Sequence, residues 1–276
     1  MKEKFFELKV LSRKSDVLKE FAFELGATCI EEIENGFILR DEDDLSNISW
    51  GLEEFARRIG SDISTSLEIK DNIDWINEYK KGIKPVSSGK FYIRPSWEEP
   101  KDGFMDIIID PALAFGSGHH ESTSSCLNLI SKYINLKECK TALDVGCGSG
   151  ILSIALAKLG LTTVDACDTD EQAVLSSTDN ARKNGIKFNN IWTGSITDAK
   201  SGYDVVVANI IADVILLLSK DLKTHVNNNG YLILSGILTK YKDRILQAFG
   251  DLELVWNITQ NEWESFIFKN KDKNGK

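Results

Sequence analysis

The sequence predicts an α/β protein: a doubly wound, Rossmann-like domain with a seven-stranded sheet, preceded by a small α+β unit of ferredoxin-like order. Three observations predict it. From residue 122 onward, apolar runs of strand length alternate with amphipathic runs of helix length. One of the strand–helix junctions, residues 141–150 (Thr-Ala-Leu-Asp-Val-Gly-Cys-Gly-Ser-Gly), carries glycines at 146, 148 and 150. The first 70 residues read strand, helix, strand, strand, helix, strand.

In the front unit the pattern predicts a strand over 5–10, an amphipathic helix over 16–25 ended by Gly26, and a strand over 29–33. Asn35-Gly36 is a hairpin turn into a strand over 37–40. A helix over 48–59 stops at Gly60, and a strand follows over 64–70. Residues 1–70 are therefore assigned to a ferredoxin-like domain, a fold that does not by itself say what is bound. Residues 71–88 are assigned to a helical linker, with a polar helix-like stretch at 72–81. The second domain, 89–276, opens with strands over 91–95 and 105–110. Helices are then expected over 123–133, 151–159, 171–184, 213–226 and 241–249. They alternate with strands over 141–145, 163–168, 190–193, 203–208 and 231–235, and an antiparallel pair over 253–259 and 263–268 closes the sheet. The polar tail at 270–276 is expected to fray.

Composition is that of an ordinary soluble globular protein, 42% hydrophobic and 27% charged. A net charge of −9 argues against direct nucleic-acid readout, which needs clustered Lys and Arg. The five cysteines include no C-x-x-C pair; Cys147 and Cys167 fall inside apolar strand-and-turn elements and read as reduced, packed thiols. The opening Met-Lys-Glu-Lys-Phe-Phe-Glu is no signal peptide, and the apolar stretch 205–218, broken by Asn209 and Asp213, is too short to span a bilayer. A cytoplasmic monomer with no membrane association is expected.

The glycine-rich junction bears on a ligand. An apolar strand ending in Asp144 and followed by Gly146, Gly148 and Gly150 lets the chain turn tightly and lets a ligand approach bare backbone. A second apolar run closes on Asp168, 18 residues past Gly150, where a carboxylate suits a ribose hydroxyl pair. The dinucleotide fingerprint needs Gly or Ala where this chain has Ile151. Asp144 beside the loop would also repel a pyrophosphate. S-adenosyl-L-methionine carries no phosphate, and its sulfonium and ammonium suit an acidic pocket. The rival reading is a glycine turn with no ligand, which Asp168 disfavours.

Asn209 follows the apolar strand and sits at its carboxyl end, facing the crevice where such sheets bind ligands. Its side-chain carbonyl can accept a hydrogen bond from a substrate amine; a helix cap is the alternative, for which Asp213 is better placed. In the run 110–123, Gly116 and Gly118 allow positive φ, Phe115 can cover a cofactor, and Ser122 or Thr123 can cap a helix. His119, His120 and Glu121 lack the H-E-x-x-H spacing of a metal site, and a solvated loop histidine is the default. Trp97 and Trp263 are read as packing residues, and Asp170 as a helix cap.

On the Asp-Pro-x-Leu-Ala-Phe-Gly-x-Gly run at 110–118, the Asp144–Gly150 loop, Asp168 and Asn209–Ala212, the chain resembles the bacterial methyltransferases of large-subunit ribosomal protein eleven. The resemblance covers nearly the whole chain, including Asp74-Trp75 and Pro95-Ser96-Trp97. It implies a class I methyltransferase fold, S-adenosyl-L-methionine as donor, and the ribosomal protein as substrate, captured by the front domain and methylated on lysine side chains and an α-amine. Cofactor contacts carry over to Thr123, Gly146, Asp168 and Asn209. The chain departs from the family run Gly-Thr-Gly-Thr-His-Pro-Thr-Thr, with His119 in place of a threonine and Glu121 in place of a proline. The proline would stiffen the turn, whereas Glu121 favours the helix N-terminus by its charge. Two alternatives stay open: a class I methyltransferase acting on another protein or a small molecule, and a non-catalytic cofactor-binding, ribosome-associated factor.

Overall fold

A computed structural model of the chain describes residues 4–27, 30–71, 84–110 and 120–271. The chain divides into two compact units, Met1–Ile83 and Lys84–Lys276.

The first unit contains β1 (Lys4–Leu11), α1 (Ser15–Glu24), β2 (Ile30–Ile33), β3 (Gly36–Asp41), α2 (Ser46–Arg58) and β4 (Ser64–Asp71). Its sheet runs β2-β3-β1-β4, with every neighbouring pair antiparallel, which is the ferredoxin-like arrangement. Alternate residues of the two central strands point inward: Leu8 and Val10 from β1, Phe37 and Leu39 from β3. Leu18 and Ala22 of α1 and Leu52 and Ala56 of α2 cover them, and the Phe21 and Phe55 rings stack at 4.0 Å. The hairpin differs by one residue from expectation. Ile33 pairs with Gly36, so Glu34 and Asn35 form the loop and Asn35 takes the positive φ of 59°. Gly36 lies in the strand, paired with Ile33 and Leu11, and the position demands glycine because a Cβ there would sit 2.1 Å from the Val10 carbonyl oxygen.

The second unit begins with β5 (Val86–Ser88), β6 (Phe91–Arg94) and β7 (Met105–Ile108), a separate three-stranded sheet. β5 corrects the linker assignment at its end: residues 86–88 are strand, paired antiparallel with β6 across the Gly89-Lys90 turn. The rest of the linker stretch, 72–83, with Asp74 and Trp75, lies outside the described residues.

Then follow α3 (Glu121–Tyr133), β8 (Thr141–Val145), α4 (Ile151–Leu159), β9 (Thr163–Asp168), α5 (Glu171–Lys183), β10 (Asn190–Thr193) and β11 (Tyr203–Asn209). α6 (Ala212–Leu217), α7 (Ser219–Thr224), β12 (Val226–Leu238), α8 (Lys242–Ala248), β13 (Glu253–Gln260) and β14 (Trp263–Lys269) complete it. The seven-stranded sheet has the order β10-β9-β8-β11-β12-β14-β13. Its pairs from β10 to β12 are parallel, and β14 is antiparallel to both its neighbours. The order reverses between β8 and β11, so the crevice at their carboxyl ends is the place where such a sheet takes a ligand. Both faces are covered: Val205 and Val207 pack into one core cluster, Val206 and Ala208 into the other. That is why β11 reads as an unbroken apolar run.

The helix expected over 213–226 is two short helices. The chain has already returned to the sheet at its end, with Tyr203 N–H donating to the His225 carbonyl at 2.7 Å and Val226 paired with Tyr203. Asp213 lies inside the first turn of α6 and is not its cap; it accepts from the Tyr241 hydroxyl at 3.1 Å. Asp170 does cap α5, accepting from Gln172 N–H at 2.9 Å. The four described cysteines are buried thiols. Among the described residues, no helix is long and apolar enough to cross a membrane.

Candidate active site at the carboxyl ends of the parallel strands

The site is built on the turn between β8 and α4. Gly146, Gly148 and Gly150 adopt φ of +74°, +53° and +79°, a region that side chains with a Cβ rarely enter. Space imposes a second demand. A Cβ on Gly146 would come within 2.3 Å of Ile210 Cγ2, and one on Gly150 within 2.3 Å of Ser177 Oγ. The backbone N–H groups of Gly146 and Cys147 both donate to the Cys167 carbonyl, at 2.8 and 3.0 Å, which ties the turn to the end of β9.

Asp168 closes β9 and faces the cavity. Its Oδ2 accepts from Gly148 N–H at 2.9 Å and its Oδ1 from Asp170 N–H at 3.0 Å. Each carboxylate oxygen retains acceptor capacity toward the cavity. Asp144 is placed differently. It is 1% exposed and stands behind the glycine turn, where its Oδ2 accepts from Ser153 N–H (3.0 Å) and Ser153 Oγ (2.5 Å). Its Oδ1 is buried with no hydrogen-bond partner among the described residues. Burial pushes its pKa up to about 6, against the pull of the Ser153 bonds.

The cavity has a volume of about 530 Å³ and runs from the glycine turn and Asp168 to Asn209, His120 and Trp263. The Asn209 amide is held on one side only. Its Nδ2 donates to Thr123 Oγ1 at 3.1 Å, while its Oδ1 is buried with no partner among the described residues. Thr123 is 1% exposed and stands behind Asn209, so the contact it makes is with the amide. Ile210, Ile211, Val214 and Leu218 supply an apolar side to the cavity.

Some residues take unexpected places. His120, neither Ser122 nor Thr123, is the cap of α3, its Nδ1 accepting from Ser122 N–H at 3.3 Å. Trp263 belongs to the cavity wall as well as to packing, with its ring edge-on to His120 at 4.7 Å and 68°. Gly194 and Ser195, just past β10, also line the cavity. Their signal was available, since they follow the carboxyl end of a neighbouring parallel strand. Gly236 had no such signal; a Cβ there would fall 2.6 Å from the Ile210 carbonyl and 3.1 Å from Asn209 Oδ1. Phe115 and Gly116 lie outside the described residues.

The model of the family described as Ribosomal protein L11 methyltransferase (PrmA) matches residues 12–271. The chain belongs to the ribosomal protein L11 methyltransferase family. Relatives agree: it is 96% identical over 276 residues, the full length of both chains, to the ribosomal protein L11 methyltransferase of Campylobacter fetus subsp. fetus (strain 82-40). To that of Campylobacter concisus (strain 13826) it is 57% identical over 280 residues, covering 99% of this chain and 100% of the relative. The crystal structure of ribosomal protein L11 methylase from Lactobacillus delbrueckii subsp. bulgaricus superposes with a TM-score of 0.64 at 31% identity, over 69% of this chain and 100% of that one. The strand order and the glycine turn are thus those of an L11 methyltransferase family member with the class I methyltransferase fold.

Proposed function

We propose that this chain transfers methyl groups from S-adenosyl-L-methionine to amines of ribosomal protein L11, lysine side chains and the N-terminal α-amine. The observation that carries the reading is the Asn209 amide. Thr123 holds its Nδ2, its Oδ1 is buried with its hydrogen-bonding capacity unspent among the described residues, and the residue lines a cavity bounded by a glycine turn and a carboxylate. The donor supplies an electrophilic sulfonium methyl, and the residues present fit it. Bare backbone at Gly146–Gly150 would admit the methionine portion, Asp168 would accept from the ribose hydroxyls, and Asp144, ionised above pH of about 6, would favour a cation in front of the turn.

The reacting amine must be neutral, yet a lysine in water has a pKa of about 10.4 and an α-amine one of about 7.7–8.0. The apolar side formed by Ile210, Ile211 and Val214 disfavours the ammonium and lowers that value on entry. Asn209 has no basic group and takes no proton. Its Oδ1 accepts one amine N–H, which turns the lone pair toward the methyl position; alignment of this kind is most of what the enzyme contributes to an in-line displacement. The ferredoxin-like domain, 1–70, serves as the substrate-recognition domain, and the unit Lys84–Lys276, which opens with β5, is the catalytic one.

The test is methyl transfer from labelled donor to purified L11, read by mass spectrometry of the intact protein and its peptides. Mass increments on L11 lysines or its α-amine support the proposal. Label on a different protein or small molecule in an extract, with none on L11, supports another class I substrate. Donor binding without transfer to any acceptor supports a non-catalytic factor.

A further inference from the structure

Glu121 opens α3, and charge at a helix N-terminus does not account for everything it does. Its Oε1 accepts from Asn261 Nδ2 at 3.0 Å. Asn261 is the first of the two loop residues joining β13 to β14, held at φ 53°, a conformation asparagine tolerates. The next ring along, Trp263, lies against His120. One turn into α3, Ser125 Oγ donates to Gln260 Oε1 at 3.2 Å. The cap and first turn of α3 are therefore fastened to the β13–β14 hairpin at three places. The same turn carries Thr123, which holds Asn209, and the same hairpin carries Trp263, a further residue of the cavity wall.

We propose that Glu121 and Asn261 are a positioning pair that clamps the β13–β14 turn to α3 and so sets the span between the Trp263 wall and the Asn209 amide. Neither residue touches the reacting atoms. The inference rests on the proposed function for its catalytic readout, and on the ligand-free protein for its structural one.

The test uses the full chain with Glu121→Ala, Glu121→Gln, Asn261→Gly and the Glu121→Ala/Asn261→Gly double variant. Glycine keeps the positive φ available, so the turn itself survives. Each single deletion is expected to lower turnover on L11 by about 3- to 10-fold, the equivalent of one hydrogen bond. Donor affinity should stay within about twofold, and the double variant should match the worse single within about twofold, since both remove one bond. Glu121→Gln, which keeps an acceptor oxygen, should behave as wild type. In ligand-free protein, amide hydrogen exchange over residues 260–263 should quicken equally in both single deletions and the double. Losses that multiply in the double variant, a Glu121→Gln variant as poor as Glu121→Ala, a parallel fall in donor affinity, or unchanged exchange would each overturn the clamp. Wild-type protein that leaves L11 unmodified sinks the proposed function, while the exchange cycle still decides the clamp.

Discussion

Replacing Thr123 with valine removes the one hydrogen bond that orients Asn209 while nearly preserving side-chain shape. Thr123 is 1% exposed and accepts from Asn209 Nδ2 at 3.1 Å, so no solvent is at hand to replace its hydroxyl. A donor left unsatisfied in a buried place costs about 1–3 kcal/mol. If the amide stays in place, that cost appears as lost stability. If it rotates to find another acceptor, Oδ1 is withdrawn from the substrate and the same energy appears as about a 5- to 150-fold loss of turnover. The second outcome should dominate, because the amide oxygen, Oδ1, has no partner among the described residues to restrain rotation. Single-turnover methyl transfer to L11 measures the loss, and calorimetric titration with donor should show affinity within about twofold of wild type. Thr123→Ser should restore turnover. A valine variant that methylates normally but binds donor weakly would refute the reasoning and make Thr123 a donor contact.

Three further outcomes follow from the geometry. Asp168→Ala should weaken donor binding by about 10- to 150-fold, the range of a hydrogen bond to a charged group, as read by calorimetry; unchanged affinity would remove its ribose role. Asp144 has a folded pKa raised from 3.8 to about 6, so between those values the folded protein binds more protons than the unfolded chain, and its contribution falls as pH rises through that window, by about 3 kcal/mol in all. Denaturant unfolding of wild type and Asp144→Asn should therefore diverge between pH 4 and 6, with a pH-independent difference contradicting the assignment. Gly146→Ala should lose donor affinity, because its Cβ, 2.3 Å from Ile210 Cγ2, must displace a residue of the cavity wall; binding equal to wild type would show that the wall yields freely.

Much of the frame was legible because the decisive residues report local constraints. The strands over 141–145, 163–168 and 190–193 are found at their expected bounds. The first two are apolar runs cut off by a glycine or an acid, and burial on both faces leaves no periodicity to misread; the third is a short edge strand bounded by turn residues. The glycine turn was legible for the same reason, since positive φ and close approach admit no other residue. What depends on pairing at a distance was not legible. The return to the sheet at Val226 is set by Tyr203 on another strand, and the apolar run 214–218 carries no sign of it or of the break at Leu218. Asp144 was identified as a special acid, but the pleat puts it on the face of Ala142, toward α4 and Ser153, behind the turn instead of in front of it. Trp263 reads as one more apolar strand residue until α3, far away in sequence, brings His120 against it. Capping by His120 was missed because serine and threonine are the commoner caps.

The central claim is that the crevice between β8, β9 and β11 receives a sulfonium donor and no dinucleotide. Calorimetric titration of the full chain with S-adenosyl-L-methionine and, separately, with a nicotinamide dinucleotide tests it most directly. Saturable one-to-one binding of the former that Asp168→Ala weakens, with no heat from the latter, is the expected result; dinucleotide binding with no response to S-adenosyl-L-methionine would contradict it.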